Sequence, residues 1–300
     1  MTAFDTLTTT LDRATGVLTV RISNPPTDLL NAKVLADLDR LTRRLSRDRS
    51  VRSVVLTGPR DGVFVPHYDL SEIAAGAEEL GLTTPYPAAR AALTAVAWLG
   101  RVPLANHALA HTPARGLVEL LRTTATLDRI GNLPQVVIAA IEGDALGGGC
   151  EVALACDVRV MGDGDYRIGL PELTAGIPPG AGGSVRLTRM LGAARASEMI
   201  LRSITLTPRQ AHEVGLVGEL VGVGEALARA QRMAADLADR NRTAILAAKR
   251  TIRTGSALVE SAGFVASASS PEAVARLRTF AAGADPSRGR TPWRDRSWLP

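Results

Sequence analysis

Between residues 136 and 156 the chain changes character twice without a charged spacer longer than three residues. Val136-Val-Ile-Ala-Ala-Ile141 is an unbroken apolar run of strand length, and a strand apolar on both faces must be covered on both faces. It runs through Glu142-Gly-Asp-Ala-Leu into Gly147-Gly148-Gly149, and then into a small-residue stretch ending at Cys156 that reads as a helix. A strand, a glycine turn and a helix in that order place unpaired backbone N–H groups at the positive end of a helix dipole. Glycines also let a ligand approach the backbone. Such a turn can hold a developing oxyanion, or it can be a close-packed corner; the glycines alone fit both readings.

Two acidic residues narrow the choice. Glu151 lies one turn into the helix among Cys150, Val152, Ala153 and Leu154, where a charge is costly unless it is paired or put to use. Glu172 is again a lone acid between apolar residues, in Gly169-Leu-Pro-Glu-Leu173. Burial raises a carboxyl pKa toward values useful for proton transfer. Two such groups over one water can activate it and deliver a proton. Either glutamate taken singly reads equally as a surface or capping residue; their coincidence with the glycine turn points to a site.

The flanks read as layers of strand and helix. Gly16–Ile22 alternates like a half-buried strand and stops at Asn24-Pro25-Pro26. Val34, Leu38, Leu41 and Leu45 have helical spacing, and Val51–Thr57 reads as a second strand. Strand, helix, strand implies an α/β arrangement. Helical stretches at about Ala88–Leu99 and Gly116–Ile130 flank an irregular segment, Arg101–Arg115. That segment holds His107 and His111, whose spacing suits a metal pair on a helix; Pro103 and Pro113 argue for a loop, no third ligand is in sight, and no metal is expected. Further on, strands are expected at Val158–Met161 and Leu216–Val221. Helices are expected to start at Thr207-Pro208 and to cover Gly224–Arg240, Thr243–Gly255 and Glu272–Phe280.

From Val136 to Val221 the chain resembles the enoyl-CoA hydratase/isomerase (crotonase) superfamily. The segments IAAIEGDALGGGCEVALACDVRV, GLPELTAGIPPGAGGSVRLTRMLG and LTPRQAHEVGLVGELV carry the resemblance, with weaker matches at ISNPP and at VVLTG followed by FVPHYDL. The resemblance implies a crotonase-like ββα spiral core over about residues 1–205 with an insertion at about 71–115. It further implies a helical C-terminal region, 206–282, that builds trimers or paired-trimer hexamers, and a tail, 283–300. It implies a CoA or carrier thioester as substrate, with coenzyme A entering as part of that substrate and no separate cofactor. Glu151 and Glu172 correspond to the two glutamates of hydratases, whereas isomerases commonly keep only the equivalent of Glu172. Gly148 and Tyr68 correspond to the two N–H donors of the oxyanion hole, and His67, Asp69, Leu70 and Gly147 fall in the substrate-binding segments. The expected reaction is addition of water to a 2-enoyl thioester. Other thioester chemistry on the same fold (isomerisation, decarboxylation, C–C cleavage) and a non-catalytic RNA-binding role are the alternatives.

The first oxyanion loop departs from the family pattern. It reads Phe64-Val65-Pro66-His67-Tyr68-Asp69, with Pro66 and His67 where the family has small residues. A Tyr or His side chain there can narrow the acyl pocket or add an acid–base group. Glu142 and Asp144 add charge beside the glycine turn.

The net charge of +5 and pI near 9.8 come almost wholly from arginine, since Lys33 and Lys249 are the only lysines. Arginines are denser at Arg40–Arg52 and around Arg288–Arg296, which reads as solvated faces or as phosphate contacts. No segment interleaves aromatic and basic residues as single-stranded RNA sites do, so nucleic acid is not the expected partner. Cys150 and Cys156 read as buried small hydrophobes without a bridge. No apolar run reaches the roughly 18–20 residues of a membrane span, and Met1–Thr10 lacks the layout of a secretory signal, so a cytoplasmic location is expected.

Overall fold

The computed structural model describes residues 4–81, 83–100, 108–109, 111–112 and 115–282. Six strands form its main sheet: β1 (Leu7–Asp12), β2 (Val17–Ile22), β3 (Ser53–Thr57), β4 (Val136–Ile141), β6 (Val158–Gly162) and β9 (Glu219–Val221), in the order β1-β2-β3-β4-β6-β9. Only β1 runs antiparallel to its neighbour; β2, β3, β4, β6 and β9 are parallel. A smaller sheet joins β5 (Ala145–Leu146), β7 (Ile168–Gly169) and β8 (Thr205–Leu206).

The apolar run at β4 divides its side chains between two cores, as the period of two demands. Val137, Ala139 and Ile141 join Val54 and Leu56 of β3 beneath helices Ala32–Leu45, Arg115–Asn132 and Gly148–Ala155. Val136, Ile138 and Ala140 join Val55 on the opposite face, against helix Ala226–Ala238. That helix presents Ala226, Ala230 and Ala234 at every fourth position, all fully buried. Methyl-sized side chains let the helix lie close on the sheet, which suits a chain with 3% aromatic residues.

The expected strands and helices are present, and the structure adds others, among them β1, the three short strands β5, β7 and β8, and helices Leu70–Leu80 and Ala257–Ala268. The periodicity gives no strand before Gly16, yet β1 pairs along its whole length with β2; Thr8 and Thr10 are exposed on this edge strand while Leu7, Thr9 and Leu11 take the inner side. Helix Ala257–Ala268 was also not expected, because its apolar residues are spread round the cylinder instead of along one stripe. Phe264 and Val265 on it are exposed. Glu142, expected to charge the glycine turn, instead turns into the second core: its Oε1 accepts from Ala226 N at 2.7 Å, at the start of the alanine helix. Cys150 and Cys156 are buried and unbridged. Among the described residues no helix is long and apolar enough to cross a membrane.

Candidate active site

The glycine turn lies at the carboxyl end of β4, where ligands bind in open α/β sheets. Gly147 has φ +50° and ψ −118°, a conformation that favours glycine, and it swings the chain into helix Gly148–Ala155. The helix then packs against the loop that precedes Tyr68. A side chain at Gly149 has no room, since a Cβ there would stand 1.8 Å from the Val65 carbonyl oxygen. Pro66 has no N–H to place, and its carbonyl accepts from Leu146 N at 2.8 Å.

This contact sets Tyr68 beside Gly148, with the Tyr68 amide nitrogen 3.4 Å from where a Gly148 Cβ would be. Leu30 pins the loop on the other side: its N–H donates to His67 O at 2.9 Å and its carbonyl accepts from Asp69 N at 2.8 Å. Bridging of this kind engages the residues either side of Tyr68 and leaves Tyr68 itself out. No hydrogen bond among the described residues uses the Tyr68 or the Gly148 amide. Two neighbouring N–H groups on a cavity wall are therefore unengaged, and unengaged amides are rare enough in folded proteins to suggest a ligand.

Pairing of β5 with β7 brings the second glutamate to the same place. Ala145 and Leu146 register with Ile168 and Gly169, and Gly147 N donates to Gly169 O at 2.9 Å. Pro171 then opens a 3₁₀ turn, Glu172–Ala175, whose first side chain returns over Gly147; a Gly147 Cβ would be 3.5 Å from Glu172 Oε1. Glu172 Oε2 is buried without a hydrogen-bond partner. Burial, with a smaller contribution from the Glu151 charge, pushes the Glu172 carboxyl up to about 7.

Glu151 is held differently. Its Oε1 accepts from Ala181 N at 2.8 Å and from Gly183 N at 2.9 Å, both in the Gly180-Ala-Gly-Gly183 turn. Burial raises its pKa, and these two donors oppose the rise. No described group donates to Oε2. The two glutamates thus differ in kind: one is oriented by backbone amides, while the other has an oxygen buried without a donor and is about half-protonated at pH 7.

Both carboxylates line one cavity of about 640 Å³, together with His67, Tyr68, Leu70, Gly147 and Gly148. Apolar walls complete it: Leu30, Ile73, Leu117, Leu120, Ile177 and Pro178. Part of the segment at 71–115 therefore walls the cavity, and helix Arg115–Asn132 supplies the facing side. Asp69 stands apart from the other expected site residues. It caps helix Leu70–Leu80, with Oδ1 accepting from Ser71 N at 2.9 Å, and it is not part of the cavity wall. The Tyr68 hydroxyl donates to Glu72 Oε2 at 2.7 Å, and burial with that partner raises its pKa far above the physiological range. The Tyr68 hydroxyl is therefore held protonated, engaged by Glu72 at the cavity wall. His67 Nδ1 pairs with the Tyr68 carbonyl at 2.7 Å.

Sequence reasoning missed Glu72 and Glu119, which also line the cavity, and the role of the Ala181 and Gly183 amides. The glycine run at 180–183 was a usable signal for the latter. Glu72 carries none, being one of several acids on an exposed helix. His107 lies outside the described residues. Among the described residues no three His, Cys, Asp or Glu side chains cluster as metal ligands.

Comparison with known proteins agrees with this geometry. Residues 118–285 match the sequence profile of the family described as Enoyl-CoA hydratase/isomerase. YngF of Bacillus subtilis, described as a putative enoyl-CoA hydratase/isomerase, is 32% identical over 226 residues, 75% of this chain and 73% of that protein. The peroxisomal fatty acid beta-oxidation multifunctional protein AIM1 of Arabidopsis thaliana is 31% identical over 80% of this chain, which spans only 29% of its length. The crystal structure of enoyl-CoA hydratase from Bacillus anthracis superposes with TM-score 0.72 at 27% identity, covering 96% of this chain and 98% of that one. The chain belongs to the enoyl-CoA hydratase/isomerase family, whose members are enzymes acting on acyl-CoA thioesters, and has the crotonase fold.

Proposed function

We propose that the protein is a hydro-lyase that adds water across the double bond of a 2-enoyl thioester. The observation that carries this reading is the pair Glu151 and Glu172 on one cavity wall beside the unengaged amides of Tyr68 and Gly148. The thioester carbonyl accepts from those two amides. Water held by the ionised Glu151 attacks Cβ and gives its proton to that carboxylate; the π electrons move to Cα and the thioester oxygen, where the two N–H groups stabilise the enolate. Cα then takes a proton from Glu172, whose pKa near 7 leaves about half of it protonated at neutral pH. Apolar walls at Ile73, Leu117 and Leu120 suit an acyl chain. No cofactor beyond the substrate's own coenzyme A moiety is required.

The same reading includes assembly into trimers through the C-terminal helices, supported by the exposed Ile252, Leu258 and Phe264. Sedimentation at micromolar concentration tests it, and a monomer would reject it.

Absorbance of crotonyl-CoA at the enoyl thioester band tests the chemistry. Wild type should bleach the band, and Glu151→Gln and Glu172→Gln should each lose about 10²–10⁴-fold in kcat. An active Glu151→Gln would exclude the two-glutamate mechanism and favour isomerisation.

A further inference from the structure

Within the dense arginine stretch Arg40–Arg52 the fold separates paired guanidinium groups from a set that gathers round one cavity, with Arg44 in neither group. Arg40 pairs with Asp37 and Arg43 with Asp39, so these are spoken for. Arg47, Arg49 and Arg52 form no ion pair with any described residue. The chain then brings a fourth arginine to them from about 190 positions away, as the Arg52 contacts with Ala238 (|i−j| of 186) and Arg240 (|i−j| of 188) indicate. Arg242 joins Arg47, Arg49 and Arg52 around a second cavity of about 560 Å³, and it too has no carboxylate partner. Four guanidinium groups converging without carboxylate partners repel one another unless an anion is present.

The cavity is built and not a chance surface cluster. The Gln135 side chain, almost fully buried, donates to the carbonyls of Leu45 (2.9 Å) and Asp48 (3.1 Å), fixing the loop that carries Arg47 and Arg49. Buried Lys249 donates to the Gln135 carbonyl at 2.6 Å and to Asp157 Oδ2 at 2.6 Å, tying helix Arg242–Thr254 to the same strand end. Arg242 reaches the Asp48 carbonyl from one side at 3.2 Å, and Arg52 holds Ala238 O at 3.0 Å from the other. Two guanidinium groups are thereby held in place while Arg47 and Arg49 stay exposed. The first amides of helix Arg242–Thr254, at Arg242 and Thr243, have no acceptor among the described residues and add the positive end of a thirteen-residue helix. Asp48 is the nearby acid, and its carboxylate is engaged by Ser50 N at 2.9 Å and by Ser50 Oγ.

We propose that this cavity binds an oligophosphate: free pyrophosphate, or the diphosphate of a nucleotide. Planar guanidinium groups match phosphate oxygens in pairs. The rest of the lining is Ser46, Pro134, Thr243 and Leu246, with no aromatic ring on which a base would stack, so phosphate and not base is what the site reads. Its position separates it from the catalytic cavity. It lies at the amino ends of β3 and β4, whereas the glutamates lie beyond the carboxyl end of β4. Six residues of strand at roughly 3.3 Å each put the two on the order of 20 Å apart. The site therefore stands or falls independently of the hydratase reading.

Thermal unfolding and titration calorimetry of the full chain at low salt, with pyrophosphate, with ADP, and with sodium chloride at matched ionic strength, test the proposal. Pyrophosphate at a hundredfold excess over Kd should raise Tm by about 3–5 °C where chloride does not. Arg47→Gln/Arg49→Gln, which alters two exposed side chains with no hydrogen bond to keep, should weaken pyrophosphate at least tenfold and leave turnover of crotonyl-CoA unchanged. ADP binding more tightly than pyrophosphate identifies a nucleotide ligand; equal affinity identifies the diphosphate alone. No Tm shift beyond that of chloride, or wild-type affinity in the double variant, overturns the site.

Discussion

Replacing Glu172 by glutamine should make the protein more stable in alkaline solution while removing its activity. The Glu172 carboxyl has one oxygen buried without a donor and titrates at about 7, against an ordinary value of 4.5. At 1.36 kcal/mol per pH unit, keeping the charged form in place costs about 3.4 kcal/mol. The residue is half-buried, so solvent screening reduces this to roughly 1.5 kcal/mol. Because the folded-state value lies above the unfolded one, the folded protein binds this proton more tightly. The resulting stabilisation is complete below about pH 4.5 and is lost as the pH rises through 7. Glutamine is neutral throughout and escapes the loss. Urea denaturation at about pH 8.5 should therefore find Glu172→Gln about 1.5 kcal/mol more stable than wild type, a Tm gain of about 3 °C. Near pH 5 the gap should close to a few tenths of a kcal/mol. A variant no more stable at high pH, or equally favoured at both, would refute the buried, donor-less carboxylate oxygen.

Two further outcomes follow from the loop beside the glycine turn. Tyr68→Phe removes the hydrogen bond to Glu72 but keeps the backbone N–H, so kcat should stay within about threefold while stability falls by about 1 kcal/mol. A hundredfold loss of kcat would mean that the hydroxyl acts in catalysis. Gly149→Ala drives a methyl group into the Val65 carbonyl and must shift the loop away from Gly148. Denaturant midpoints should report a loss of about 3 kcal/mol, with kcat falling in parallel; an unperturbed, active variant would show that the close contact is not required.

What the sequence determined by itself was local. The apolar run Val136–Ile141, the three glycines after it and the two isolated glutamates identify a buried strand, a turn and a pair of acids, because each is a composition that water tolerates poorly in any other setting. Family motifs in the same stretch pointed to the fold. Edge strand β1 stayed hidden because threonine stands on both its faces, and helix Ala257–Ala268 because its apolar residues form no single stripe. Only the tertiary structure decided what each charged side chain meets. Glu142, next to the turn in sequence, serves a helix start 84 positions away. Asp69 caps a helix beside the cavity instead of lining it, and Tyr68 gives its hydroxyl to Glu72. Arg242 completes an arginine cluster begun near residue 47. Hydrophobic period is written in neighbours along the chain, but a charge's partner is set by how sheets and helices stack, and that distance no local pattern encodes.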